Sequence, residues 1–355
     1  MYNEKKEQLC KKVINGDASC YVFGTTAYAA DIARFIKVDG FIDDFTSRTT
    51  FHDLPVVKHA EVPANAVVIS GIVEGRPVTV NKALQNSGLE YIDYFTFKNV
   101  SGFPLKRPAH GLPVDFKENY ISNKSKYDHV YSLLGDNISK ETFSRLVNFR
   151  LHEDLSVMDY FTFRPHDIYF EDFLDLPDVE AVFVDVGCFD GETTLEFIRR
   201  YPSYRSVHLF EPEPRQMATI KAKLSREKNI HYHQYGASNK QESLRFTSSG
   251  LWSHLDENGE IVVEVDKIDT LVTEKTTFIK MDVEGHEYAA LEGARQRIIN
   301  DHPALAICAY HLVNDFWKLP ELVFSIRSDY KLYMRHYTEG VLETVYYFIP
   351  EKEAR

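Results

Sequence analysis

Glycines and a carboxylate cluster where an apolar run ends in the second half of the chain. The run begins at Val182 and ends in Asp185, Gly187 and Gly191 follow, and a helical pattern begins at about Glu192. A chain that reverses at a sheet edge, close to a ligand, needs residues without Cβ. Because the cofactor crevice of an open α/β sheet lies at that edge, the pattern predicts a nucleotide-cofactor loop.

A second carboxylate follows on the next strand-like run. Val207–Phe210 is apolar, and Glu211 lies 24 residues beyond Gly187, about the spacing at which a carboxylate accepts ribose hydroxyls. The loop lacks the three glycines of a dinucleotide site, and Asp185 and Asp190 would repel a pyrophosphate. They suit a cofactor that carries a sulfonium and an ammonium. The pattern therefore favours S-adenosylmethionine over a nicotinamide dinucleotide.

Further polar residues follow two later strand-like runs. Asp282 and Glu284 end one run, where period-2 alternation points both side chains to one face, and His311 ends the next. Such groups orient a hydroxyl, remove its proton or hold a divalent metal, although capping of the following helix is an alternative use for Glu284. We therefore predict that Asp282, Glu284 and His311 are catalytic, with His286 a further candidate base and metal dependence left open.

The elements that must position these residues alternate between strand and helix patterns from Ala181 onward. This alternation predicts a parallel sheet with helices on its faces. The last two strand-like runs predict an antiparallel hairpin. His231 and His233 alternate on one predicted strand with no third metal ligand apparent, which predicts a structural role for both.

A shorter α/β unit precedes this one. Its predicted strands are Cys20–Phe23, Gly40–Ile42, Ala66–Ser70 and Tyr91–Phe95. Thr26 and Ala29 stand where a dinucleotide loop has its second and third glycines, and a Thr side chain hinders the approach of a pyrophosphate. Two interpretations stay open: a nucleotide site with Asp43 and Asp44 at the ribose, and a scaffold or oligomerisation surface.

Between the two units, residues 101–113 contain three prolines and two glycines, which is typical of a linker. The stretch after it has a helical pattern, with Ser139 as a candidate N-cap. We therefore predict a Rossmann-like domain at residues 1–100, a linker and helical connector at 101–176, and a larger Rossmann-like domain at 177–355.

Composition narrows the class of protein. The 355 residues carry a net charge of −12 and no Lys/Arg run, which argues against a nucleic-acid partner. No apolar stretch is long enough for a membrane span, the N-terminus lacks the apolar core of a signal peptide, and four unclustered cysteines fit a reducing compartment. We predict a cytoplasmic protein, and an oligomer stays open.

The stretch from about Asp167 to Tyr347 resembles the FkbM-type class I methyltransferases. The segments that carry the resemblance are IYFEDFLDL, VFVDVGCFDGETTLEF, LFEPEP, IDTLV, FIKMDVEGHEYAALEGA and AYHLVNDFWKLPELV. The resemblance implies a seven-stranded Rossmann-like sheet and methyl transfer from S-adenosylmethionine. The acceptor it implies is a hydroxyl of a sugar, polysaccharide or glycosylated natural product. Residues 18–97 resemble the small Rossmann-like domain that precedes some FkbM-type enzymes.

The resemblance also assigns roles by position. The cofactor-binding residues it implies are Asp185, Gly187, Gly191, Glu211 and Ser238. Asp282 is expected at both the cofactor and the acceptor. The expected acceptor rim is Tyr310, Asp315 and Trp317, joined by Arg335 and His336. Two other functions stay open: a nicotinamide-dependent oxidoreductase and a non-catalytic nucleotide-binding module.

Overall fold

The computed structural model describes residues 4–247, 254–255 and 261–351. The chain forms two compact units and passes from one to the other five times. Unit 1 comprises Met1–Lys117, Phe143–His166 and His336–Leu342, and unit 2 comprises Glu118–Thr142, Asp167–Arg335 and Glu343–Arg355. Residues 101–176, expected to form one connector, therefore contribute to both units.

Unit 1 is built on a six-stranded, mostly parallel sheet. Its strands are β1 (Cys20–Phe23), β2 (Gly40–Ile42), β3 (Thr50–Phe51), β4 (Leu54–Val57), β5 (Val67–Ser70) and β6 (Glu90–Ile92), in the order β3-β4-β2-β1-β5-β6. The central strand β1 pairs in parallel with β2 and β5. Ile42, Val68 and Leu84 form one buried apolar cluster, so apolar contacts join the sheet to the helix that follows β5.

Unit 1 includes the helices α1 (Glu4–Asn15), α2 (Ala27–Ile32), α3 (Pro77–Asn86) and α4 (Tyr94–Ser101). Of these, α2 and α3 lie where the sequence predicts a helix. A short 3-10 turn spans His59–Glu61. The predicted strand Tyr91–Phe95 is wrong in its second half, because β6 ends at Ile92. The Asp93 side chain accepts a hydrogen bond from the Thr96 backbone N–H at 2.9 Å, and this N-cap begins α4.

The next helices are α5 (Phe116–Ser122), α6 (Lys124–Leu133) and α7 (Asn137–His152), followed by 3-10 turns at Leu155–Tyr160 and Pro165–Asp167. Ser139 is not the N-cap of α7. Asp136 accepts the Ser139 N–H at 2.7 Å, and the Ser139 hydroxyl accepts the N–H of Met334 at 3.0 Å. In unit 1, the segment 336–342 contacts α3, where Glu339 accepts the backbone N–H of Thr79 at 2.6 Å.

Unit 2 contains the remaining strands and helices. The strands are β7 (Val182–Val186), β8 (Ser206–Phe210), β9 (Ile230–His233), β10 (Gly236–Ala237), β11 (Glu242–Thr247), β12 (His254–Leu255), β13 (Ile261–Asp266), β14 (Phe278–Met281), β15 (Ala304–Cys308), β16 (Tyr330–His336) and β17 (Thr344–Pro350). The helices are α8 (Glu192–Arg200), α9 (Pro214–Lys223), α10 (Ile268–Leu271), α11 (Glu287–Gly293), α12 (Arg295–Asp301) and α13 (Asp315–Ile326).

Seven of these strands form one sheet in the order β16-β17-β15-β14-β7-β8-β9, which confirms the predicted seven-stranded Rossmann-like sheet. β7 pairs in parallel with β8 on one side and β14 on the other, whereas β17 is antiparallel to β15. The strand order reverses between β7 and β14. Ligands of open α/β sheets bind beyond the strand ends at such a switch point.

A second sheet of unit 2 has the order β10-β13-β11-β12. β10 pairs in parallel with β13, and its last residue, Ala237, lies opposite Asp266. Among the described residues, no helix is long and apolar enough to cross a membrane. All four cysteines are buried and free.

Candidate functional site

The loop after β7 approaches the end of β14 so closely that one position requires glycine. Gly187 has a φ of +75°, and a Cβ on it would lie 1.8 Å from the carbonyl oxygen of Asp282. Its N–H donates to the carbonyl of Phe210 at 3.0 Å. Gly191, with a φ of +79°, is the N-cap of α8. The predicted cofactor loop therefore lies at the topological switch point.

Beneath this loop lies a buried ion pair that the sequence reasoning missed. Asp185 is fully buried, receives a hydrogen bond from the Thr194 hydroxyl at 2.8 Å and lies 3.2 Å from the Lys280 ammonium. Lys280 also donates to the carbonyl of Gly187 at 2.6 Å. Burial alone would lower the pKa of Lys280, but the charges of Asp185 and Asp282 hold it above its ordinary value.

Asp185 therefore supports the loop from below and is not exposed to a cationic donor, contrary to expectation. Lys280 interrupts the apolar run of β14, and a lysine at such a position indicates a buried partner of opposite charge. Asp190 also differs from expectation, since it lies 3.0 Å from the ammonium of Lys223. Lys223 therefore offsets the negative charge of Asp190, so Asp190 repels a pyrophosphate less than the sequence suggests.

Glu211 lies at the end of β8, next to this loop. It is buried, and one carboxylate oxygen accepts the N–H of Glu213 at 2.9 Å. Burial raises the pKa of Glu211 to about 7, although the hydrogen bond from Glu213 opposes the shift. Ser238 follows β10 and is buried, with its N–H donating to Asp266 at 2.9 Å. A Cβ on Gly236 would lie 3.8 Å from Pro212, so the end of β10 lies beside the end of β8.

His311 lies among three carboxylates. Its Nδ1 is 2.9 Å from Glu287, and its Nε2 is 3.4 Å from Asp282 and 3.5 Å from Glu284. The side chains of His311 and Glu287 are 0% exposed, whereas those of Asp282 and Glu284 are 22% and 24% exposed. The two carboxylates predicted from the sequence are therefore the members of this acidic cluster that a ligand can reach.

The charge state of His311 differs from its predicted role as a base. Burial alone would lower its pKa, but the charges of Glu287, Asp282 and Glu284 raise it to about 10. His311 is therefore an imidazolium at neutral pH and already holds the proton that a base would accept. Sequence reasoning missed Glu287. Its Oε1 also accepts the N–H of Val283 at 2.9 Å, so Glu287 holds the turn between β14 and α11.

Two tyrosines contact the Asp282 carboxylate. The Tyr169 hydroxyl donates to Asp282 Oδ2 at 3.0 Å and the Tyr310 hydroxyl to Oδ1 at 3.4 Å. Burial raises the pKa of both phenols, so both remain donors. Burial and the charge of Asp282 also raise the pKa of Glu343 to about 7. No local pattern singled out Tyr169 or Glu343.

The turn after β14 is strained. Glu284 has a φ of +52° and Gly285 a φ of +97°, and a non-glycine residue in this region costs about 1–3 kcal/mol and is held by its surroundings. His286 follows and is the N-cap residue of α11 without capping through its side chain. The strained turn brings Glu284 back toward His311.

The expected acceptor rim forms only in part. Tyr310 contacts Asp282, but Asp315 is buried and accepts the N–H of Leu312 at 2.7 Å, at the start of α13. Trp317 donates to Asn119 at 3.2 Å, and Lys126 covers its ring at 3.8 Å, so that face is occupied.

Arg335 and His336 have other partners. Arg335 pairs with Asp136 at 2.7 Å. His336 is buried near the carbonyl of Gly340, where burial lowers its pKa to about 3. Their expected place at the acceptor is wrong.

The loop of unit 1 at the corresponding sheet edge is closed by its own side chains. Thr26 caps α2 and donates to the carbonyl of Gly71 at 2.7 Å, while Thr25 donates to Asp43 at 2.7 Å. Asp43 also accepts the N–H of Phe45 at 3.0 Å. These contacts favour the scaffold interpretation over a dinucleotide site.

Comparison with known proteins shows a family match over part of the chain and a shared fold over most of it. The family described as "Methyltransferase FkbM domain" matches residues 185–339. A crystal structure of a methyltransferase FkbM from Methylobacillus flagellatus KT aligns with a TM-score of 0.74 and 23% identity, over 95% of this chain and 92% of that one. An rRNA methylase from Streptococcus thermophilus aligns with a TM-score of 0.35 and 18% identity, over 51% of this chain and 93% of that one. No curated protein sequence matches the chain significantly.

Proposed function

We propose that the chain is a methyltransferase, as the match of residues 185–339 to the FkbM methyltransferase domain supports, and that it transfers the methyl group of S-adenosylmethionine to a hydroxyl of a carbohydrate or glycosylated natural product. The observation that carries the proposal is the switch point of the seven-stranded sheet. There, the glycine loop, the buried Glu211 and the Asp282 carboxylate lie at the ends of three adjacent strands, β7, β8 and β14.

The cofactor half of the proposal rests on Gly187 and Glu211. Gly187 lets the loop at the end of β7 pass against the carbonyl of Asp282, and this contact places the loop at the sheet edge where a cofactor binds. Glu211 supplies the carboxylate that accepts ribose hydroxyls at the end of the neighbouring strand. Asp185 and Lys280 keep the loop in place and do not touch the ligand. Ser238 is proposed at the adenine edge.

The acceptor half rests on Asp282 and Glu284. Methyl transfer is an in-line displacement: the acceptor oxygen forms a bond to the methyl carbon, the carbon–sulfur bond breaks, and a neutral thioether leaves. The hydroxyl proton passes to Asp282, with Glu284 orienting the acceptor. His311 keeps its own proton, and its positive charge lies 3.4 Å from the Asp282 carboxylate, so its role is positioning.

Titration calorimetry with S-adenosylhomocysteine tests the cofactor assignment. The wild-type protein is expected to bind it, and Glu211→Ala is expected to weaken binding at least tenfold because a ribose contact is lost. Glu227→Ala on the same unit is the matched control and should bind like the wild type. Absent binding, or equal binding by Glu211→Ala, would overturn the assignment.

Cofactor binding should also depend on pH. The pKa of Glu211 is raised to about 7, so the carboxylate that accepts two ribose hydroxyls is depleted below that pH. We expect affinity for S-adenosylhomocysteine to rise roughly 30-fold from pH 5.5 to 8 if binding restores the ordinary pKa. Calorimetry at a series of pH values measures it. Glu211→Gln cannot titrate at this position, so an unchanged pH dependence in that variant would refute the explanation.

The same pKa shift lowers the stability of the folded protein as the pH rises, whereas the affinity for the cofactor increases. A carboxyl with a pKa raised from 4.5 to about 7 binds more protons in the folded state between these values. Its contribution to stability is therefore present below pH 4.5 and is lost as the pH rises through 7.

We further propose that no divalent ion takes part in methyl transfer. Asp282, Glu287 and His311 each have a ligand atom within 4.8 Å of the others, but both ring nitrogens of His311 already face carboxylate oxygens, Nδ1 at 2.9 Å from Glu287 and Nε2 at 3.4 Å from Asp282. Dialysis against EDTA is therefore expected to leave the transfer rate unchanged. The rate is measured with radiolabelled methyl donor, and a loss that Mg²⁺ or Ca²⁺ restores would contradict this prediction.

A further inference from the structure

A cluster of three histidines and one glutamate lies away from the cofactor loop, on the outer strands of the large sheet. His208 on β8 is directly opposite His231 on the edge strand β9 in the parallel register. His233 lies two residues further along β9 and therefore projects to the same face. The histidines that had no apparent third ligand in the sequence thus meet a third imidazole from the neighbouring strand.

Glu274, which precedes β14, completes the cluster. Its Oε1 lies 2.8 Å from Nε2 of His208. Ligand atoms of His208, His231 and Glu274 all lie within 4.8 Å of one another. Two imidazoles and one carboxylate, with a fourth position left to water, are a recurring ligand set for Zn²⁺.

The surroundings of His208 match those of a metal ligand. Its Nδ1 lies 3.0 Å from Nε2 of His233, so one ring nitrogen has a partner that fixes the ring, and Nε2 faces Glu274. A ligating histidine commonly uses its second nitrogen in this way. The rings of His208 and His231 are stacked, with centroids 4.6 Å apart and planes 15° apart, so the exposed His231 ring has to turn before both lone pairs point to one ion.

We propose that His208, His231 and Glu274 bind one Zn²⁺ ion, with His233 orienting His208. His208 is buried, while His231 is exposed, so an ion can enter from solvent at the edge strand. Arg205, 3.5 Å from Glu274, is the nearby cation that would have to move aside. The bound ion would join β8, β9 and the segment before β14, and so stabilise the edge of the sheet. This site is independent of the proposed methyl transfer.

The experiment uses the full, untagged chain, freed of metal by EDTA and titrated with ZnCl₂. We expect micromolar or tighter binding by calorimetry, and a rise in Tm of about 5 °C or more at a hundredfold excess over Kd. Replacing Zn²⁺ by Co²⁺ should give the visible absorption of a tetrahedral ion. Wild-type protein that neither binds nor shifts overturns the proposal.

Variants separate the ligands from the rest of the chain. His231→Ala, an exposed position, should lose the Tm shift and weaken Zn²⁺ binding at least tenfold, and Glu274→Gln should do the same. His233→Ala should weaken binding about 10–100-fold, as expected of a group that orients a ligand. His129→Ala, an exposed histidine on α6, is the control and should match the wild type. Undiminished Zn²⁺ binding in both His231→Ala and Glu274→Gln would overturn the site.

Discussion

Methyl transfer by Asp282→Asn is expected to be slower than that of the wild type by a factor of about 10²–10⁴, the usual contribution of a positioned base. The amide keeps the size of the side chain. Its oxygen can accept one of the two tyrosine hydroxyls that Asp282 binds, and its NH₂ group can donate to the oxygen of the other, but it cannot take the acceptor's proton. The Asp282 side chain is 22% exposed, so we expect the substitution to slow the reaction with the acceptor and to leave the packing of the core unchanged.

Two measurements make the Asp282 prediction specific. Single-turnover kinetics should show the loss in the chemical step, while S-adenosylhomocysteine affinity should change less than tenfold. Asp128→Asn is the matched control, since Asp128 is 62% exposed on α6 and pairs with Lys124 at 2.6 Å. If Asp282→Asn retains more than about a tenth of the wild-type rate, another group removes the proton, and Glu284→Gln becomes the next variant to test.

Gly187→Ala is expected to destabilise the protein by at least about 4 kcal/mol, a size reserved for a few mechanisms that include backbone strain and overpacking. The new Cβ would lie 1.8 Å from the Asp282 carbonyl, and backbone at the end of β14 cannot move aside without shifting Asp282 itself. The loop and the acceptor carboxylate are thus displaced together. Urea denaturation measures the stability, and calorimetry measures the remaining affinity for S-adenosylhomocysteine.

Gly191→Ala separates collision from backbone strain. Its φ of +79° is nearly that of Gly187, but the nearest atom to a Cβ there is 3.5 Å away. This variant should lose only about 1–2 kcal/mol of stability, which is the cost of an alanine in the left-handed backbone region. If the two variants are equally stable, close contact between the loop and β14 is not what requires glycine at position 187.

The sequence was sufficient for elements whose signals are local. A glycine must follow β7 because the chain turns there, and apolar runs identify buried strands, so the parallel sheet and the loop at its edge followed from pattern. The number of seven strands came from the family resemblance, and the strand order was not predicted. The predicted strand Tyr91–Phe95 failed where apolar residues suit both strand and helix, and Asp93 decided in favour of the helix. Ser139 failed for a related reason, since Asp136 makes the capping contact three residues earlier.

The ion pairs and pKa shifts of the site could not be predicted from the sequence, because the residues that interact come from distant segments. Tyr169 and Asp282 are 113 positions apart, and no pattern at either one indicates the other. The role of His311 depends on three neighbours together, since burial and carboxylates shift its pKa in opposite directions. The residue type predicted that His311 is a base, whereas the carboxylates around it raise its pKa and make it a cation.

The interleaving of the two units affects how the protein is made on the ribosome. Unit 1 contains Met1–Lys117 but is completed only by His336–Leu342, including the Glu339 carboxylate that accepts the N–H of Thr79. Although domains generally fold in the order of their synthesis, unit 1 cannot make all its contacts until residue 342 has left the ribosome. During synthesis of the residues between 117 and 336, the N-terminus of α3 therefore lacks the Glu339 carboxylate.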